Sequence, residues 1–126
     1  MKTILVVDDE YALRELVGEL LELAGYRVVT AANGSDALER ALGEKPDLVV
    51  TDHMMPIADG RELVRNLRAL PEYRSLPIIM LSAAAKSVAL ADALAVTAFV
   101  RKPFVWEKLS ATVEALIGPG EKASPP

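Results

Sequence analysis

Short runs of apolar, largely β-branched residues alternate along this chain with stretches of helical period, and that alternation narrows the possible folds more than any other feature. Ile4-Leu5-Val6-Val7 is apolar at every position, as expected of a strand covered on both faces in a parallel sheet. It stops abruptly at Asp8-Asp9-Glu10. From Tyr11 to Ala24 the period lengthens, putting Leu13, Leu16, Val17, Leu20 and Leu23 on one stripe, with Gly25 as a C-terminal stop. The unit repeats as a strand Arg27–Thr30, a helix opened by Asn33 and carrying Ala37, Leu38 and Leu42, then Pro46 and a strand Asp47–Thr51. Beyond a turn-rich stretch the pattern predicts a helix near Gly60 to Leu70, a strand Ile78–Leu81, a helix near Lys86 to Leu94, a strand Ala98–Val100 and a helix Val105–Ile117. Five βα units with short connections predict an α/β fold, a doubly wound parallel sheet with helices on both faces, because right-handed crossovers leave few alternatives.

A chain of 126 residues supplies one such domain, expected over residues 1–117. Gly118 to Pro126, with three prolines, two glycines and no periodicity, reads as a flexible tail. Hydrophobic residues make up 52%, enough for a real core and against intrinsic disorder. A net charge of −4 gives no electrostatic footprint for a phosphate backbone, so direct nucleic-acid binding is not expected. The absence of cysteine excludes disulfides and thiolate metal sites, and a single histidine excludes a multi-His zinc centre. The apolar run before Asp8 is too short for an export signal or a membrane span, so the expected location is cytoplasmic, without membrane insertion.

In a doubly wound sheet, ligands bind beyond the carboxyl ends of the strands, where the strand order reverses. The residues at those ends are Asp8, Asp9 and Glu10, then Asp52 and His53, then Ser82, then Arg101 and Lys102. In the five-stranded version of the fold the first and third strands flank the switch point, so at least three carboxylates crowd one crevice. Their repulsion calls for a hard cation or an opposing ammonium group. An oxygen-only donor set favours Mg²⁺ or a similar hard ion over zinc. Lys102 offers a compact positive charge suited to a phosphate oxygen, and Ser82 offers a hydroxyl donor. A carboxylate beside such groups suits receipt of a phosphoryl group, a transfer governed by positioning and charge neutralisation.

The ordered set Asp8-Asp9, Asp52-His53-Met54-Met55-Pro56-Ile57-Ala58-Asp59-Gly60, Ser82-Ala83 and Lys102-Pro103-Phe104 resembles the signature of the receiver domain of two-component response regulators, over about residues 3 to 117. That resemblance implies a flavodoxin-like (βα)5 sheet of strand order 2-1-3-4-5. It implies that Asp52 accepts a phosphoryl group from a histidine kinase or histidine phosphotransfer protein. Asp9 and Asp52, the backbone carbonyl of Met54, and Asp8 largely through water, would hold Mg²⁺. Lys102 would meet the phosphoryl oxygens, Ser82 would reorient toward them, and Phe99 would change position with it. Met54 and Ala84 fall at the positions that tune loss of the phosphoryl group, and Lys102-Pro103 at the family's cis peptide. One departure is Leu94-Ala95-Val96-Thr97-Ala98, where the family commonly has a Gly-Ala pair ending the fourth helix.

Other readings stand beside this one. His53 reads as a rim residue, since one histidine without a positioned partner is thin support for acid/base chemistry. Met54-Met55 reads as loop packing. A flavodoxin-like cofactor carrier would place a phosphate against Asp8-Asp9-Glu10, which repel it, and an aspartate-nucleophile phosphohydrolase would need an acid where Met54 stands. A receiver fold kept only as a docking module, or a receiver cut from a longer regulator, is the alternative. The helix near Lys86 to Leu94 has few polar positions, so it is expected, with the fifth strand and fifth helix, to form the face for a target protein or a homodimer.

Overall fold

The computed structural model describes residues 1–53, 59–83 and 96–121. Five strands, β1 (Thr3–Val7), β2 (Arg27–Ala31), β3 (Leu48–Asp52), β4 (Ile78–Ser82) and β5 (Ala98–Arg101), form one parallel sheet of order β2-β1-β3-β4-β5. Helices α1 (Tyr11–Leu23), α2 (Gly34–Glu44) and α3 (Gly60–Arg68), and a C-terminal helix (Trp106–Ile117), flank it. The helix expected near Lys86 to Leu94 falls outside the described residues, as do Met54 and Ala84.

The alternation of side chains along each strand divides the core into two layers. Leu5, Val7, Val49, Ile78 and Met80 pack with Ala37, Ala41, Leu63, Val64 and Leu67 of α2 and α3. Ile4, Val6, Leu48, Val50, Ile79, Leu81 and Val100 pack on the other face with Val17, Leu21, Leu109 and Val113 of α1 and the C-terminal helix. β1, β3 and β4 are buried at every position because helices cover both of their faces. Asn33 caps α2 by accepting from Asp36 N at 2.9 Å, and Asp59 caps α3 by accepting from Glu62 N at 3.0 Å.

The expected α1 stripe differs from the one that packs. Val17, Gly18 and Leu21 face the sheet, while Leu16 is 53% and Leu23 82% exposed. Gly18 faces β2, where a Cβ would make ordinary contact with Val28 Cγ1 at 3.5 Å. In α2 it is Ala41, not Leu42, that turns inward. Asp47 stands just before β3, its N–H donating to Thr3 O at 2.7 Å and its carboxylate accepting from Thr3 N at 2.8 Å. A 3-10 turn at Pro71–Tyr73, not expected from the pattern, buries Tyr73, whose hydroxyl donates to Ala41 O at 2.5 Å.

Gly118 to Glu121, expected to begin a flexible tail, run back against the turn between α1 and β2. Glu121 N donates to Gly25 O at 2.9 Å, the Tyr26 hydroxyl donates to Gly118 O at 2.7 Å, and the N-terminal ammonium pairs with Glu121 at 2.8 Å. Lys2 Nζ donates to Ile117 O.

Candidate functional site

Side-chain alternation decides which residues meet at the carboxyl end of the sheet. Asp8 continues the series Ile4–Val6, Asp52 continues Leu48–Val50, and Lys102 continues Ala98–Val100, all on the face covered by α1 and the C-terminal helix. Because β1 and β3 are neighbours, the two aspartates arrive side by side at the switch point. Candidate ligand oxygens of Asp8, Asp9 and Asp52 lie within 4.8 Å of one another. Asp8 and Asp52 are buried and Asp9 is exposed, so the cluster opens to solvent on one side.

Lys102 closes the crevice from β5. Its Nζ lies 2.9 Å from Asp52 Oδ1 and 3.4 Å from Asp8 Oδ2. Its backbone N–H donates to Ser82 O at 3.0 Å, and the Lys102–Pro103 bond is cis. The turn after β1 is fixed by Glu10 N donating to Asp8 Oδ1 at 2.9 Å and by the Arg14 guanidinium donating to Asp8 O at 2.7 Å. Gly60 N donates to His53 O at 3.0 Å, and a Cβ on Gly60 would stand 2.3 Å from Asp52 O. Only glycine lets α3 begin so close behind the third strand's last residue.

Burial raises the pKa of Asp52, and Asp8 and Asp9 push it the same way; the Lys102 ammonium opposes them without reversing the sign. For Lys102, burial favours the neutral amine, but Asp52 and Asp8 together hold the proton more firmly than in water. A basic carboxylate beside a retained ammonium, in a cluster that is oxygen-only among the described residues, is an arrangement for an anionic oxygen and a hard cation.

Comparison with known proteins agrees with this geometry. A family model described as response regulator receiver domain matches residues 4–114. The chain belongs to that family. The receiver is 38% identical over 129 residues to the phosphate regulon transcriptional regulatory protein PhoB of Pseudomonas aeruginosa, covering 98% of this chain and 56% of that one. It is 40% identical over 126 residues to the alkaline phosphatase synthesis transcriptional regulatory protein PhoP of Bacillus subtilis, covering 98% and 52%. It thus spans about half the length of these curated relatives. Among solved structures, the chemotaxis response regulator CheY4 of Vibrio cholerae superposes with a TM-score of 0.87 at 34% identity, covering 93% of this chain and 99% of that one. The doubly wound (βα)5 fold and its strand order are those of a receiver, and the chain is a signalling domain of the two-component class.

The receiver brings together four of the residues singled out in the sequence, Asp8, Asp9, Asp52 and Lys102. Ser82, 2% exposed, stands on the opposite side-chain series, Ile78–Met80–Ser82. Phe99 is half-buried and packs against the α2/α3 core layer. Arg14 carries no expectation in the sequence, and Gly60 figures there only as the end of the signature and the start of a helix. Arg14 acts through a main-chain carbonyl, which leaves no spacing signature, and the demand for glycine at position 60 arises only where α3 and β3 meet. No described helix is long and apolar enough to cross a membrane.

Proposed function

We propose that Asp52 accepts a phosphoryl group from a phosphohistidine of a histidine kinase or phosphotransfer protein, and that the receiver then signals in the cytoplasm by protein contact. The observation carrying this reading is the 2.9 Å approach of Lys102 Nζ to Asp52 Oδ1 within the Asp8, Asp9, Asp52 cluster. In the transfer an Asp52 carboxylate oxygen forms a bond to phosphorus as the phosphorus–nitrogen bond of the donor breaks. The three converging carboxylates, an oxygen-only set among the described residues, fit Mg²⁺, which Asp9 and Asp52 would hold together with the main-chain carbonyl of Met54, Asp8 acting largely through water. Bound there, the ion would supply charge neutralisation for the phosphoryl oxygens.

The chain's own groups divide the remaining work. Asp52 is held as a relatively basic carboxylate by burial, which strengthens it as a nucleophile. Lys102, fixed by its backbone bond to β4, places an ammonium where the incoming phosphoryl oxygen gathers charge. Ser82, at the end of β4, is the hydroxyl that engages the acyl phosphate, with Phe99 on the neighbouring strand following its position. The exposed Asp9 side is the approach for the donor. Met54 and Ala84 offer a thioether and a methyl group where a polar side chain would orient a hydrolytic water, so the acyl phosphate is comparatively long-lived. The output face is the segment 86–94 with β5 and the C-terminal helix, for a target protein or a second copy.

The test is incubation with acetyl phosphate and Mg²⁺ followed by intact-mass measurement. The wild type gains one phosphoryl group, and Asp52→Asn gains none. Equal labelling of Asp52→Asn would place the acceptor elsewhere.

A further inference from the structure

His53, read from the sequence as a rim residue, has a defined partner in the structure. Its N–H donates to Leu81 O at 2.9 Å, extending the β3–β4 ladder one step beyond the pair Asp52–Leu81. The next step of that register sets His53 beside Ser82, and His53 Nδ1 lies 3.5 Å from Ser82 Oγ. Side chains opposite one another in a ladder share a face, so this contact follows from the register rather than from a chance rotamer. Ser82 is 2% exposed, which leaves its hydroxyl dependent on protein partners.

The position of the contact matters because the two sheet faces carry different groups. Asp52, Asp8 and Lys102 extend the face covered by α1 and the C-terminal helix, whereas Ser82 extends the α2/α3 face. For its hydroxyl to reach a phosphoryl group on Asp52, it must turn from one series toward the other. We infer that His53 is a positioning residue that restrains the Ser82 hydroxyl in the unphosphorylated receiver, so that engagement of the acyl phosphate exchanges the imidazole for a phosphoryl oxygen. This inference rests on the phosphoacceptor reading of Asp52. A separation of 3.5 Å is long for a hydrogen bond, which sets the restraint at the weak end of such contacts, worth about two- to five-fold in an equilibrium or rate.

The imidazole atom that faces Ser82 is Nδ1, the position an asparagine amide reproduces and a leucine methyl does not. His53→Leu therefore removes this one restraint on the hydroxyl and speeds loading by acetyl phosphate in excess Mg²⁺ by about two- to five-fold, and His53→Asn keeps the wild-type rate. In a Ser82→Ala background the same His53→Leu change has no effect, which a general loosening of the strand ends would not reproduce. Nitrogen-15 spectra of the unphosphorylated protein give an independent reading, since Ser82→Ala shifts the His53 Nδ1 resonance. Equal acceleration with and without the Ser82 hydroxyl, an asparagine variant that behaves as leucine does, or an unmoved resonance in a protein that loads normally would each overturn the role of His53 and leave Asp52 as acceptor. A wild-type protein that gains no phosphoryl mass would instead remove the acceptor reading, and this inference with it.

Discussion

Lys102 Nζ lies 3.4 Å from Asp8 Oδ2, a residue 94 positions away in the chain, and 2.9 Å from Asp52 Oδ1. One ammonium thus faces two buried carboxylates. It offsets their repulsion incompletely, since the Asp52 pKa is still raised, chiefly by burial.

That sign has a consequence for stability. A group whose folded-state pKa lies above its unfolded value contributes most below the unfolded pKa and loses that contribution as pH rises through the folded one. Ionised Asp52 therefore costs stability at neutral pH in the presence of a chelator. Asp52→Asn should melt a few degrees higher than wild type at pH 7, a gap that narrows as pH falls toward 4 and Asp52 takes up a proton. Thermal melts in EDTA across that range check it, and a variant less stable than wild type at pH 7 would contradict it.

A cation in the crevice removes the same repulsion. Mg²⁺ at ten times its dissociation constant should stabilise the wild type by about 1.4 kcal/mol. Asp9→Ala should lose most of that gain, because it removes one of three converging carboxylates. Unchanged wild-type melting on adding millimolar Mg²⁺ at low ionic strength would exclude the cluster as a metal site.

Gly60→Ala forces a methyl group to within 2.3 Å of Asp52 O unless the backbone shifts. It should cost about 2 kcal/mol in urea unfolding and slow phosphoryl loading, since the atom it displaces belongs to the acceptor residue. Gly43→Ala is the control. A Cβ there meets nothing within 4 Å on α2, so the substitution should stabilise by about 0.5 to 1 kcal/mol.

At the opposite end of the sheet, a Cβ on Gly120 would fall 2.1 Å from Ala24 O. Gly120→Ala should detach residues 118–121 from the α1–β2 turn, seen as faster amide exchange at Glu121 N, which donates to Gly25 O. Tyr26→Phe should cost about 1 kcal/mol by leaving the Gly118 carbonyl without its hydroxyl donor. Unchanged exchange at Glu121 in Gly120→Ala would show that the close approach is not what holds this segment.

Local chemistry was enough to locate the strands and most of the site. Two-sided apolar runs mark β1, β3 and β4 because helices cover both faces, and an acidic, basic or hydroxyl residue at the ends of β1, β3, β4 and β5 declares the crevice because such groups are costly in a core. Asn33 named the start of α2 through a bond spanning three residues. What the sequence left open depends on how elements meet. Leucines at several phases of α1 satisfy a helical period, and only packing against the sheet selects Val17 and Leu21 as the buried face. Arg14 on a carbonyl, Gly60 against β3, and Gly118 to Glu121 folded back on Gly25 are contacts of main-chain atoms, which no side-chain pattern records. The pairing of His53 with Ser82, a contact between side chains, likewise depends on how elements meet. Composition supplied one histidine with no partner in view, and the register of two strands far apart in the chain placed a hydroxyl beside it.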